Sequence, residues 1–122
     1  MAASDHQVHD KFKSFVGTDI EAISTEVSAF VTSSGVKPIS IGIVHVNSAN
    51  ELLFSLGYQE GEPGHSASLT AVNLGHIDTV HASGLEALDS ALDAAAADID
   101  NIICHELLVS GDGDFSAVFL LG

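Results

Sequence analysis

The sequence predicts a single α+β domain over residues 1–122, in the order α-β-β-β-α-β-β, with a mostly antiparallel five-stranded sheet packed with two long helices. Three observations predict it. Apolar residues recur at three- and four-residue steps in two separate segments. They alternate at two-residue steps in the stretches that follow. An Asp-Gly turn joins the last two apolar runs, a strong short-range hairpin signal. At 122 residues, 46% of them hydrophobic, the chain has the size and composition of one domain with one core.

The first 33 residues carry Val8, Phe12, Phe15, Val16, Ile20, Ile23, Val27, Phe30 and Val31 in one helical phase. Gly17-Thr18 interrupts the run, and Thr18 with Glu21 forms a capping-box pattern. The segment is therefore either a short helix followed by one over 19–33, or a single kinked helix. Ser33-Ser34-Gly35 and Pro38 end it. Residues 39–59 read as a hairpin, with Ile39, Ile41 and Ile43, then Leu52, Phe54, Leu56 and Tyr58, on alternate positions. A third strand over about 67–74 follows the Glu60–Gly64 loop.

The second helix is predicted over about 84–100, with Leu85, Leu88, Leu92, Ala95, Ala96 and Ile99 on one face and Ser83 and Glu86 as a capping box. Ile102–Val109 and Phe115–Leu121 then form the second hairpin around Gly111-Asp112-Gly113. The first five elements are similar in order to a double-stranded-RNA-binding domain, a function that the charge excludes. Both final strands are apolar on both faces, so they need cover on both sides. Either the helices lie on opposite faces of the sheet, or a second subunit covers one face. The expectation is a homodimer through the sheet or its edge.

Charge narrows the function classes. Seventeen Asp and Glu stand against three lysines (Lys11, Lys13 and Lys37) and no arginine, a formal net charge of −14. Nucleic acid and anionic membrane surfaces require Lys or Arg to neutralise phosphate, so both are excluded as partners. The balance points to cations, a basic protein partner or a high-salt environment in which acidity serves solvation alone. Cys104 is the sole cysteine, so no intrachain disulfide forms, and its apolar surroundings suit a small hydrophobe. No signal-peptide pattern and no membrane-spanning apolar run are evident, which makes the cytoplasm the expected location.

Three constellations carry candidate chemistry. Glu86, Asp89, Asp93 and Asp100 fall within about 60° on the second helix, with no cation three or four residues away. This stripe suits a hard divalent cation such as Ca²⁺, or a basic partner. Asp112 and Asp114, or Glu60 and Glu62, add carboxylates for an oxygen site. No EF-hand loop fits, because a loop begun at Asp112 runs out of chain before its twelfth position.

His76, Asp78 and His81 form a His-x-Asp-x-x-His cluster of ligand types that zinc, iron or manganese accept, joined by His45 or His65. Such a centre would make the chain a small metal- or histidine-dependent enzyme. His105 and Glu106 are strand neighbours and point to opposite faces, which prevents direct cooperation. No phosphate-binding loop, dinucleotide fingerprint or nucleophile elbow occurs. The reading that balances these features is a non-catalytic acidic module for a divalent cation or a basic protein. A histidine-dependent enzyme and a halophilic domain are the alternatives.

Overall fold

A computed structural model describes residues 11–46, 51–60, 65–77, 82–109 and 114–122. Eight elements follow in order: β1 (Lys11–Gly17), α1 (Ile20–Ser34), β2 (Val36–Val46), β3 (Glu51–Glu60), β4 (Ser68–His76), α2 (Ala82–Ala97), β5 (Ile102–Val109) and β6 (Asp114–Leu121). The α+β class holds, but the five-stranded sheet does not. The strands form two antiparallel three-stranded sheets, ordered β1-β3-β2 and β4-β6-β5. Each half of the chain is thus a β-α-β-β unit with its last strand in the centre.

The extra strand is β1, in a segment expected to be helical. Phe12, Phe15 and Val16 fit a helical phase, yet residues 11–17 pair along their length with β3, from Lys11 opposite Tyr58 to Gly17 opposite Leu52. Two forces override the local pattern. Pairing supplies partners for the β3 backbone on that side, and Phe15 packs against Phe54 at 6.0 Å between ring centroids. The α-β-β-β-α run that is similar in order to a double-stranded-RNA-binding domain persists behind β1, but β4 lies in a different sheet from β2 and β3, so the run does not form one unit. The helical expectation for residues 1–10 lies outside the described residues.

Helix α1 begins one residue later than the Thr18–Glu21 pattern implies. Asp19 is the N-cap, and its Oδ1 accepts from the Ala22 amide at 2.8 Å. Gly35 closes the helix in the left-handed region (φ 64°), donating its amide to the Val31 carbonyl at 3.0 Å. Ile23, Val27 and Val31 recur at four-residue steps and are fully buried. They meet the inner face of the first sheet (Phe15, Phe54, Leu56, Ile43) and of the second (Leu69, Val118, Leu120) in one core. Helix α1 belongs to the first half by sequence but packs most extensively on β4 of the second.

The two sheets meet where β2 lies alongside β5, with the Ile41 backbone N–H donating toward the Cys104 thiol. Strand β6 is buried on both faces. Val118 and Leu120 face α1 in the core, while Ala117 and Phe119 face α2. Of the two ways of covering these strands, the structure takes the first: the helices lie on opposite faces of the second sheet. Among the described residues, no helix covers the back of the first sheet. Its rows read Phe12–Gly57–Ser40, Ser14–Ser55–Gly42 and Val16–Leu53–Val44. Gly57 fits closely there, since a Cβ would displace the Ser40 hydroxyl and lie 3.3 Å from the Phe12 ring.

Helix α2 runs over Ala82–Ala97, shorter at its C-terminal end than expected. It begins at Ala82, the Ser83 side chain is outside the described ones, and Asp100 lies beyond its end. Asn101 stands at φ 63°, and its carbonyl accepts from the Gly122 amide at 2.9 Å, which ties the start of β5 to the end of β6.

Candidate acidic site on the second helix

Alanines at 87, 91 and 94–97 give α2 strong intrinsic helix propensity, and leucines at 88 and 92 supply the face it lays on the second sheet. Leu88 is buried on that face. Glu86, Asp89 and Asp93 sit together on one flank, all exposed. Leu85, at the border of this flank, is 51% exposed. No lysine or arginine follows Lys37 in the sequence, so the whole second half lacks a permanent cation.

The lysines are all in the first half, and two of them have partners there. Lys11 pairs with Glu60 at 3.0 Å, and Lys13 stands 6.0 Å from the centre of the Phe30 ring. Helix α2 packs closer to β4 than to β5. A cleft of about 280 Å³ therefore opens between α2 and β5, lined by Leu92, Asp93, Ala96, Ile102, His105 and Phe119. Asp93 alone of the acidic flank enters its lining. His105 and Phe119 are cross-strand neighbours in this cleft, with ring centroids 6.2 Å apart. Neither Phe119 nor Ile102 was a candidate from sequence, because the gap depends on where α2 lies across the sheet.

The remaining candidate residues are dispersed. Asp114 lies opposite His76 at the end of the β4–β6 ladder, with Nδ1 and Oδ1 3.6 Å apart and both side chains largely exposed. One residue from each predicted ligand set thus meets the other across two strands. Asp78, His81 and Asp112 lie outside the described residues. Among the described residues, no three His, Cys, Asp or Glu side chains gather in a metal-binding arrangement. Asp114 on β6 and the carboxylates of α2 belong to separate elements and no shared cluster.

His105 is exposed on the α2 side of β5, where sequence suggested a buried face. Glu106 points to the other side and is half-buried at the seam between the sheets. There it borders a shallow hollow of about 460 Å³ with Gly42, Val44, Leu53 and Ser55. Cys104, also at the seam, is half-buried. Burial pushes its thiol up from the ordinary value, the nearby Glu106 carboxylate adds to the rise, and the Ile41 hydrogen bond offsets part of it.

No described helix is long and apolar enough to cross a membrane. Comparison with protein-family models, curated proteins and solved structures finds no match to this chain.

Proposed function

We propose that this chain is a non-catalytic acidic binding module whose partner is a basic protein surface, engaged by the flank of α2. The observation that carries the reading is the line of three exposed carboxylates, Glu86, Asp89 and Asp93, beside exposed Leu85. A half-chain without lysine or arginine leaves this negative field uncompensated.

Spacing favours a protein over a single ion. Seven residues of helix separate Glu86 from Asp93, about 10 Å of axial rise, whereas a hard cation holds its oxygens at about 2.3–2.6 Å. One ion does not reach all three carboxylates, but a row of basic side chains does. The apolar Leu85 beside the carboxylates supplies surface that a partner covers on binding.

The deciding experiment is fluorescence-anisotropy titration with a lysine- and arginine-rich peptide at about 0.15 M KCl, against the triple variant Glu86→Gln, Asp89→Asn, Asp93→Asn. The expected result is saturable binding that the triple variant loses. Equal affinity for both proteins overturns the reading.

Self-association through the back of the first sheet is a second reading, favoured by an independent observation. That face exposes Phe12 (68%), Val16 (51%) and Val44 (55%), and its three cross-strand rows contain no charged residue. Two copies that each carry −14 repel through acidic surfaces, which favours contact through these uncharged central rows, with Glu106 at their edge, as the place for a second copy to meet the first.

A further inference from the structure

We infer that the cleft between α2 and β5 receives an arginine side chain of the basic partner, an inference that rests on the acidic-module reading above. The cleft joins two surfaces that a long cationic side chain needs at once. Leu92, Ala96, Ile102 and Phe119 form apolar walls and floor, and Asp93 stands among them as a carboxylate. The aliphatic stem of such a side chain lies on apolar atoms while its charged head stays at the polar rim.

Other occupants fit less well. An anionic ligand meets Asp93 and the field of a chain carrying −14. An uncharged apolar ligand would desolvate Asp93 without offering it a partner, at a free-energy cost. Among the described residues of the lining, a bound metal ion would find Asp93 and His105 as side-chain donors, fewer than the usual set. No lysine or arginine of this chain competes from the second half, since none follows Lys37.

Between the two basic side chains, the rings select arginine. His105 and Phe119 lie 6.2 Å apart, their planes inclined by 33°, and both border the cleft. Phe119 is only 3% exposed and forms the floor. The exposed His105 ring therefore supplies the face on which a planar guanidinium lies while its two-pronged donor edge meets a carboxylate. An ammonium does neither as a plane. The volume of about 280 Å³ accommodates one such side chain.

The test compares two peptides of equal charge, one with arginine and one with lysine at every basic position, by anisotropy and by amide chemical-shift mapping on the intact chain. Ala96→Leu narrows the cleft without changing charge, and Glu86→Gln with Asp89→Asn removes charge without touching the lining. The arginine peptide is expected to bind the unmodified protein roughly tenfold more tightly than the lysine peptide, with shifts at Ala96, Ile102 and Phe119. Ala96→Leu should erase that preference while leaving lysine-peptide affinity in place.

If the peptides bind equally, or Ala96→Leu leaves the preference intact, the arginine assignment is overturned. The acidic-module reading then still stands, provided the Glu86→Gln/Asp89→Asn protein binds both peptides more weakly. If neither peptide binds the unmodified protein, both ideas fail together. Circular dichroism of the Ala96→Leu protein separates a blocked cleft from a lost fold, and Asp93→Asn gives a second, isosteric variant with the same expected loss of preference.

Discussion

The backbone amide of Leu69 donates to the Ser24 hydroxyl at 3.0 Å, a bond that fastens β4 of the second half to α1 of the first. The bond is partly buried. Ser24→Ala leaves that amide without its partner and should cost about 1–2 kcal/mol. The check is a urea melt, in which the midpoint falls while the slope is unchanged. An unchanged midpoint would mean that water replaces the hydroxyl without loss.

Gly57 and Ser40 test the close approach on the back of the first sheet. Gly57→Ala drives a methyl into the Ser40 hydroxyl and against the Phe12 ring, so destabilisation of about 1–3 kcal/mol is expected. Ser40→Ala removes the colliding oxygen. The double variant should therefore recover part of the loss, read as a coupling energy in a double-mutant cycle. Strict additivity of the two changes would contradict the contact.

Cys104 gives the pH-dependent expectation. Its thiol is held above the ordinary value, mainly by burial, and thiolate is the reactive form. Iodoacetamide should therefore modify the folded chain more slowly than free cysteine near about pH 8, with the difference gone in denaturant. The effect on stability has a definite sign. A raised folded-state value means that the contribution is complete below the unfolded thiol's pKa and is lost as pH rises through the folded one. The melting temperature of the native sequence should thus fall more steeply on the alkaline side than that of Cys104→Ala.

Self-association is checked by light scattering at micromolar concentration. A dimer mass that Phe12→Ser converts to a monomer mass supports contact through the back of the first sheet. A monomer mass for the unmodified chain removes that reading.

Acidity as bulk solvation is separable from cation binding by thermal melts of metal-stripped protein. With Ca²⁺, Mg²⁺, Mn²⁺ or Zn²⁺ at 100 times a dissociation constant, a specific site adds about 2.7 kcal/mol, against KCl at matched ionic strength. Equal rises with every salt indicate general screening. A rise confined to Ca²⁺ would favour a carboxylate cation site on α2 or around Asp114, and one confined to Zn²⁺ or Mn²⁺ would favour a histidine site at His76.

Much of the fold was legible because alternation survives in the strands with one buried face. Leu52, Phe54 and Leu56 of β3 are buried as their spacing implies, and the apolar faces of β6 do take cover from two sides. Strand β1 was not legible: in seven residues, Phe12, Phe15 and Val16 satisfy a helical phase as well as a strand, and only pairing with β3 decides. The repeated β-α-β-β plan was hidden for a related reason. It is shared in strand order alone, while α1 buries Ile23, Val27 and Val31 and α2 rests on Leu88 with much of its surface free. For the site, the carboxylate flank follows from helical spacing, but the cleft beside it depends on how far α2 stands from β5. That is a tertiary quantity no local pattern encodes.

The position of α1 also constrains how the chain can be made. As the polypeptide leaves a ribosome, the first sheet can assemble once β3 is out, but Ile23, Val27 and Val31 then have only part of their final surroundings. Leu69 arrives with β4, and Val118 and Leu120 only with β6, the last strand. The nascent first half therefore carries an incompletely covered apolar helix until β6 emerges, and the interval between emergence of β3 and of β6 is when a chaperone or a neighbouring nascent chain finds the most to hold.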